Sequence, residues 1–333
     1  MNLIITIIIV LLVSYLLTLL AKKIKIPVVV ALIFSGLIVG LPSIKNTVVE
    51  PNSQFIFSLG DIALLCLMFL AGLESSWRAL YEERKDAIVI TIFAALIPFI
   101  IGFAVFKLLG FSLLVSSIVG ICMSITAEAT NARVLLDLSK LKTRVGAAMM
   151  DAGIFDDILG LSLFILITFL LKAAYLKEDL LIAGAILAFF VGIIVQKTIG
   201  RNKNPILKFV EKYLLILLVP FFFISMGIHF EPSSIFTSPY LLIIIIAIAI
   251  TGKLAGTFLT KPFTKFSWKQ LHLIGWGMNS RGAIELALAL IAFRSALIPA
   301  ELYSSLVIMA LTTTLIFPFI ISRMIRKNPK LMN

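Results

Sequence analysis

Charged residues are scarce in this chain. Only 14% of its 333 residues are Asp, Glu, Lys or Arg, whereas 61% are hydrophobic and the mean hydropathy is +1.12. Repeated apolar runs of about 20 residues are typical of helices that cross a bilayer, and a soluble domain of this length would not have this composition. No hydrophilic block is longer than about a dozen residues, which leaves no room for a soluble nucleotide-binding or regulatory domain. The composition therefore predicts an all-α polytopic membrane protein with one membrane domain, residues 1–333.

Cysteine is scarce as well. The two cysteines, Cys66 and Cys122, both lie in apolar stretches, so neither a disulfide framework nor a metal cluster is expected. Walker and dinucleotide-binding motifs are also missing, and we expect no cofactor and no enzymatic activity. The first apolar segment lacks a basic n-region and a small-residue cleavage signal. It is therefore expected to be a retained membrane helix and not a signal peptide.

About eleven apolar segments are long enough to span a membrane. The predicted spans are 3–20, 27–43, 55–73, 86–109, 111–138, 144–171, 180–198, 206–229, 239–261, 267–294 and 300–323. Of the 29 Lys and Arg residues, 21 fall in the loops on one side of these spans and five on the other. By the positive-inside rule, the N-terminus is outside and the C-terminus is cytoplasmic. The net charge of +12 is then a topology signal, and nucleic-acid binding is not expected.

This orientation can be tested with single cysteines in a variant that lacks the native ones. Cysteines introduced at Asn52 and Lys177 should react with a membrane-impermeant maleimide added outside intact cells. Cysteines at Ser139 and Lys265 should not react, because the excess of basic residues places those loops in the cytoplasm. The reverse labelling pattern would contradict both the orientation and the inverted repeat deduced from it below.

Two adjacent aspartates, Asp156 and Asp157, interrupt the otherwise apolar stretch 146–171. A helix that begins near Arg144 rises 1.5 Å per residue, which places the pair about 18 Å deep in a hydrocarbon core of ~30 Å. Ionised groups at that depth are costly and usually functional. Neighbouring residues on a helix point about 100° apart. One carboxylate would therefore face a water-filled path while the other contacts a neighbouring helix.

Other polar residues lie at the same depth. Thr126, Lys253 and Arg281 each occur about 14 or 15 residues into their spans, the fifth, ninth and tenth. The fifth and tenth spans also contain polar or glycine-rich interruptions at 124–131 and 275–282, which predict helices unwound in the middle. The fourth to sixth and the ninth to eleventh spans run in opposite orientations. This pattern predicts an inverted repeat with two broken helices, as in secondary transporters.

Six short motifs occur in a fixed order over nearly the whole chain. They are LGDIALLCLMFLAGLE (59–74), ARVL (132–135), FDDILG (155–160), PFFFISMG (220–227), GK (252–253) and GMNSRGAIEL (277–286). Together they resemble the monovalent cation:proton antiporters, in particular the branch with a paired-aspartate motif. The resemblance implies a core of two crossed discontinuous helices, here 86–171 and 239–323, beside a dimerisation side formed by the remaining helices. It also implies a homodimer in the cell membrane.

The resemblance assigns roles to four residues. Asp157 matches the aspartate that binds the cation or its proton, and Thr126 matches a residue near the helix crossing. Asp156 matches the aspartate that pairs with a helix lysine, and Lys253 matches that lysine. Because hard cations prefer oxygen ligands, Asp157 and Thr126 are the expected metal ligands, together with backbone carbonyls freed by the unwound helices.

Four further residues are candidate accessory groups. Glu128 stands where a small or apolar residue would be typical and would add a third acid near the site. Asp151 is expected to lie on the cytoplasmic approach. Arg281 and Glu285 are spaced i,i+4, so a structural ion pair is the simpler interpretation, and Glu128 and Arg281 would offset the dipoles of the half-helices. One departure from the family is that two spans, and not four, separate the aspartate helix from the lysine helix.

The chemistry that follows is competition between a cation and a proton. Burial and a like-charged neighbour favour the protonated form of a carboxyl group, whereas a nearby ammonium favours the carboxylate. Asp157 would hold a proton on one side and release it to a dehydrated Na⁺ or Li⁺ on the other. The predicted function is gradient-driven Na⁺(Li⁺)/H⁺ antiport in pH homeostasis, electrogenic at roughly two protons per Na⁺, with cations, protons and membrane lipid as partners. A K⁺/H⁺ antiporter or K⁺ efflux system and a non-transporting sensor or partner subunit remain as alternatives.

Overall fold

The computed structural model describes residues 2–24, 26–74, 85–170, 179–199 and 205–332. These ranges are helical apart from short connections and contain no β-strand. The main helices are α1 (Leu3–Ile24), α2 (Val28–Val39), α3 (Ser53–Glu74), α4 (Lys85–Leu108), α5 (Leu113–Ser124), α6 (Glu128–Asp137), α7 (Arg144–Leu170), α8 (Asp179–Ile199), α9 (Pro205–Tyr213), α10 (Val219–Ile228), α11 (Pro239–Leu259), α12 (Trp268–Gly277), α13 (Ala283–Arg294) and α14 (Ala300–Lys327). Short helical turns at Pro42–Ile44, Lys45–Val49, Glu50–Asn52, Leu214–Leu218, Pro232–Thr237 and Pro329–Met332 complete the set.

Helices occupy all eleven predicted spans. Within the described ranges, seven helical segments are long and apolar enough to cross a membrane on their own. Two predicted spans consist of two separate helices: the fifth is α5 and α6, and the tenth is α12 and α13. In the eighth, α9, the turn Leu214–Leu218 and α10 follow one another without a break. The prediction of an all-α, multi-pass membrane protein is therefore confirmed.

The chain divides into two compact units. The first comprises Met1–Trp77 and Asp179–Glu231, and the second comprises Arg78–Glu178 and Pro232–Asn333. The second unit contains α4–α7 and α11–α14, and all eight candidate site residues belong to it. The assignment of these helices to a transport core, and of the others to a dimerisation side, stays a prediction.

Close helix packing in the first unit depends on residues without side chains. A Cβ atom added to Gly36 of α2 would collide with the backbone of α10 at Phe223, and one added to Gly227 would collide with Gly36. Gly72 of α3 likewise contacts the backbone of α8 at Phe189. Small residues let helix backbones approach closely in a membrane, where no hydrophobic force drives them together.

Glycine residues also allow α11 to pack closely in the second unit. Gly252 of α11 lies against Pro98 of α4, and Gly256, one turn later, lies against Phe93. The Thr91 hydroxyl of α4 donates to the Ala152 carbonyl of α7 at 3.0 Å. Because α4 packs against both α7 and α11, it holds the two helices that carry Asp156 and Lys253.

Both predicted helix interruptions are present. The chain leaves the helical conformation at Ile125, where ψ is 144°, and becomes helical again at Glu128. The second break runs from Met278 to Gly282, which is also extended. Gly282 approaches Ala127 so closely that a Cβ atom on Gly282 would lie 2.6 Å from the Ala127 Cβ. The two unwound segments therefore meet, as the prediction of crossed discontinuous helices requires.

Candidate functional site

Backbone and hydroxyl hydrogen bonds join the two unwound segments. The Ala127 amide donates to the Ser280 carbonyl at 2.8 Å, and the Ser280 hydroxyl donates to the Ala127 carbonyl at 2.8 Å. The Thr126 hydroxyl donates to the Met278 carbonyl at 3.0 Å. Unwound backbone inside a membrane protein must have its polar groups satisfied. These bonds satisfy several of them and fix the geometry of the crossing.

Thr126 lies in this crossing and is buried. Its hydroxyl proton is used in the bond to Met278, so the oxygen lone pairs remain available to a cation. The position fits a ligand role, which stays a prediction.

Lys253 and Asp156 form an ion pair across α11 and α7. Lys253 Nζ lies 3.0 Å from Asp156 Oδ2, and both side chains are 0% exposed. Within the part of the chain that the structure describes, the second carboxylate oxygen of Asp156 has no hydrogen-bond partner. A buried pair of this kind is a weak source of stability, because the cost of removing both charges from water offsets most of their attraction. Charged side chains inside a membrane protein are usually functional, so the pair fits a transport role, which stays a prediction.

Two of the predicted acids have side chains outside the described part of the structure. Asp157 follows Asp156 within α7, and Glu128 is the first residue of α6. The roles assigned to Asp157 and Glu128 stay predictions.

Arg281 connects three elements at the crossing. Its guanidinium donates to the Ile125 carbonyl at the end of α5 and, at 3.3 Å, to the Ala249 carbonyl of α11. The Thr314 hydroxyl of α14 accepts from the Arg281 amide at 3.2 Å and donates to the Arg281 carbonyl at 2.9 Å. A cation at the C-terminal end of α5 is favoured by the helix dipole.

Glu285 lies one turn after Arg281, in the first turn of α13. Its carboxylate is 3.9 Å from Arg281 Nε, both side chains are 0% exposed, and neither carboxylate oxygen has a hydrogen bond within the described residues. The guanidinium directs its bonds to backbone carbonyls instead. Glu285 therefore balances the charge of Arg281 without orienting it.

The comparison with known protein families agrees with this geometry. The family model described as "Sodium/hydrogen exchanger, transmembrane" matches residues 7–174 and 161–327. The chain belongs to this family. The match covers both broken helices and the buried Lys253–Asp156 pair.

Two bacterial relatives of this exchanger-family chain are antiporters. The "Na(+)/H(+)-K(+) antiporter GerN" of Bacillus cereus is 26% identical, with 88% of each chain covered. The "Na(+)/H(+) antiporter" of Enterococcus hirae is 25% identical over 92% of this chain and 94% of its own. The alignment with the Bacillus cereus protein is 346 positions long, although it includes only 88% of the 333 residues of this chain. Many of its positions are therefore gaps in this chain. That relative therefore contains segments that this chain lacks.

A solved structure has the same fold. The sodium proton antiporter MjNhaP1 from Methanocaldococcus jannaschii superimposes on this chain with a TM-score of 0.69. The superposition covers 98% of each chain, and the two sequences are 18% identical. This similarity establishes the antiporter fold of the chain.

Three further charged residues, the candidate Asp151 and the pair Arg133 and Asp137, are not fully buried. Asp151 is on α7, about one and a half turns before Asp156, and is partly exposed. Arg133 and Asp137, an exposed i,i+4 pair at the end of α6, are 3.3 Å apart and form a surface salt bridge. Among the described residues, no group of three or more His, Cys, Asp or Glu side chains could hold a resident metal ion.

Sequence reasoning missed three polar residues of the crossing. Thr314 braces Arg281, and a run of three threonines, 312–314, in an apolar helix was the available signal. Asn131 and Asn279 are buried, and the side-chain oxygen of each has no hydrogen-bond partner among the residues described. Both asparagines fall within or beside the interruptions that the sequence identified.

Proposed function

We propose that this chain exchanges Na⁺ or Li⁺ for H⁺ across the cell membrane. Membership of the sodium/hydrogen exchanger family supports cation/proton antiport. The observation that carries the proposal further is the fully buried Lys253–Asp156 pair beside the crossed helices, next to a second aspartate in the sequence. A purely structural ion pair would need no third charged group beside it in the membrane interior. A site where a cation and a proton compete needs such a group, because a carboxylate must bind one or the other.

In the proposed cycle, Asp157 binds either the proton or the cation. Thr126 and backbone carbonyls of the unwound segments supply further oxygen ligands, which hard monovalent cations prefer. Asp156 and Lys253 part when the cation enters and pair again when it leaves. Because proton and cation cannot occupy Asp157 together, each can cross only in exchange for the other.

The test is proton flux in proteoliposomes that contain the purified protein. Addition of Na⁺ or Li⁺ should move protons across the membrane, as followed with a pH-sensitive dye. Flux with K⁺ as well would support the second candidate, cation/H⁺ exchange that includes K⁺, which the name of the Bacillus cereus relative favours. Absence of flux with all three cations would contradict the proposal and leave a sensor or partner subunit.

We further propose that exchange is electrogenic. The site holds two adjacent acids and one base, so Lys253, paired with Asp156, can carry a second proton in the half-cycle in which Asp157 carries the first, and release it when the cation enters. One net charge moved per cycle gains about 2.3 kcal/mol per 100 mV. A potential imposed with K⁺ and valinomycin should therefore change the rate of Na⁺-driven proton flux. Equal rates at zero and at imposed potential would reject this scheme.

The homodimer, the outward N-terminus and the role in pH homeostasis belong to the same proposal. The excess of basic residues on one set of loops supports the orientation, and the family resemblance supports the dimer. Crosslinking in native membranes, before detergent is added, would test the dimer.

A further inference from the structure

An apolar groove with a charged rim lies where α11 ends and α12 begins. Its volume is about 450 Å³, and its lining residues are Phe258, Trp268, Lys269 and His272. The ring of Phe258 forms the floor, with ring centroids 5.9 Å from those of both Trp268 and His272. Trp268, Lys269 and His272 are exposed at its edge. The groove is part of the second unit and contains none of the proposed transport residues.

The depth of the groove matches the edge of the hydrocarbon layer. Helix α11 begins at Pro239 and ends at Leu259, so Phe258 lies about 28 Å along the helix axis from its start. Because the hydrocarbon core is ~30 Å thick, the groove falls at the boundary between acyl chains and headgroups. Aromatic side chains concentrate at this level because one part of the ring is apolar and the other part is solvated.

The segments that form and flank the groove in the sequence carry only positive charges. Lys265 and Lys269 are exposed on and just after the short connection between the two helices. No Asp or Glu occurs between Pro232 and Ile284, and none occurs after Glu301. The C-terminal turn Pro329–Met332, which packs against α12, adds Lys330. An anionic group at this position would therefore meet only basic side chains from the nearby sequence.

One rim residue is also held as a hydrogen-bond donor. The Trp276 indole N–H donates to His272 Nε2 at 3.1 Å. With Nε2 acting as the acceptor, the neutral His272 ring carries its hydrogen on Nδ1. Lys269 and His272 thus place an ammonium and a ring N–H at the rim of an aromatic floor. An apolar floor below cationic donors suits a ligand with an acyl chain and a phosphate.

We propose that this groove binds one anionic phospholipid of the cytoplasmic leaflet. An acyl chain lies on Phe258 and Trp268, and the phosphate is bound by Lys269 and His272, with Lys265 adding charge. The negative surface of that leaflet attracts basic segments near the membrane, with a gain of roughly fivefold in affinity per lysine. The site is independent of the transport chemistry, so it stands or falls separately from the proposed exchange activity.

The test is quenching of tryptophan fluorescence by lipids with brominated acyl chains, which quench only at contact. Purified protein is reconstituted with brominated phosphatidylglycerol or brominated phosphatidylcholine, and the Trp268 component is obtained by subtraction of the Trp268→Phe variant. The anionic lipid should quench this component at a several-fold lower mole fraction than the neutral lipid. Lys269→Ala should reduce that preference roughly fivefold. Lys22→Ala, which removes another exposed lysine, in the last turn of α1, should leave it unchanged.

Three results would overturn the proposal. Equal quenching by the two lipids in the unaltered protein would mean that the groove holds ordinary annular lipid. An equal loss of preference in Lys269→Ala and Lys22→Ala would mean that only the overall charge of the protein matters. Removal of the preference by millimolar inorganic phosphate would mean that the site binds a free anion and not a lipid.

Discussion

Asparagine in place of Asp157 is expected to reduce exchange with Na⁺, Li⁺ and K⁺ to the rate of protein-free vesicles. Asparagine has nearly the size of aspartate and can still offer an oxygen, but it can neither bind a proton nor carry the charge that compensates a dehydrated cation. The protein should still insert and fold, because an amide at this depth costs less than a carboxylate. The measurements are proton flux in proteoliposomes and the thermal midpoint in detergent.

Asp137→Asn provides a matched control. It makes the same change of carboxylate to amide, but at the end of α6, where the side chains of Arg133 and Asp137 are 76% and 63% exposed. An exposed pair of this kind contributes only about 0.2–1 kcal/mol, so both flux and thermal midpoint should stay near those of the unaltered protein. Robust antiport by Asp157→Asn would place the cation site elsewhere, and Glu128 would be the first residue to test.

The second large effect concerns the buried Lys253–Asp156 pair. Asp156→Ala leaves a buried ammonium without its partner, which typically costs about 3–5 kcal/mol. The second unit contains about 200 residues, so the thermal midpoint should fall by roughly 10 °C. Replacement of both residues, as in Asp156→Leu with Lys253→Met, removes both charges together. It should restore most of the stability while abolishing electrogenic exchange.

The stability of the single variants Asp156→Ala and Lys253→Met should depend on pH in opposite ways. In Asp156→Ala, the lone Lys253 can become neutral by releasing its proton, so the loss of stability should diminish as the pH rises. In Lys253→Met, the lone Asp156 can become neutral by binding a proton, so the loss should diminish as the pH falls. Thermal midpoints measured across the pH range test both statements. Equal, pH-independent losses in the two single variants and the double variant would show that the pair is held by packing and not by charge.

The sequence predicted the spans and the buried pair because each departs from its surroundings. Asp156, Asp157 and Lys253 are conspicuous as charges in apolar stretches, and helical rise alone sets their depth. The interruptions at 124–131 and 275–282 are visible for the same reason. Gly282, which lies against Ala127 at the crossing, is part of that signal.

The contacts of Arg281 could not be predicted in this way. Its guanidinium bonds to the backbone carbonyls of Ile125 and Ala249, and every residue of the chain has such a carbonyl. The i,i+4 spacing correctly placed Glu285 beside it as a charge-balancing partner, but it did not show that the 3.9 Å approach lacks a hydrogen bond. Only the folded backbone identifies which carbonyls, such as that of Ile125 at the end of α5, lie within reach of the guanidinium.

The division of the chain into two units was likewise only partly visible. Close contacts such as Gly36 against Phe223 depend on helices that are far apart in the sequence. The spacing of Gly36 and Gly40 is a small-xxx-small pattern typical of a close helix contact, but it does not identify the partner helix. The pairing of these helices therefore had no signature in the sequence.

The central claim is that a cation and a proton compete for one carboxylate, and the most direct test is the pH dependence of the apparent affinity for Na⁺. The half-maximal Na⁺ concentration for exchange is measured in proteoliposomes over several pH units, with the same pH on both sides at the start. If Na⁺ must displace one proton from Asp157, this concentration should rise about tenfold for each unit that the pH falls below the range of half-protonation, while the maximal rate at saturating Na⁺ changes far less. A half-maximal concentration that stays constant while only the maximal rate changes with pH would contradict competition at a single site.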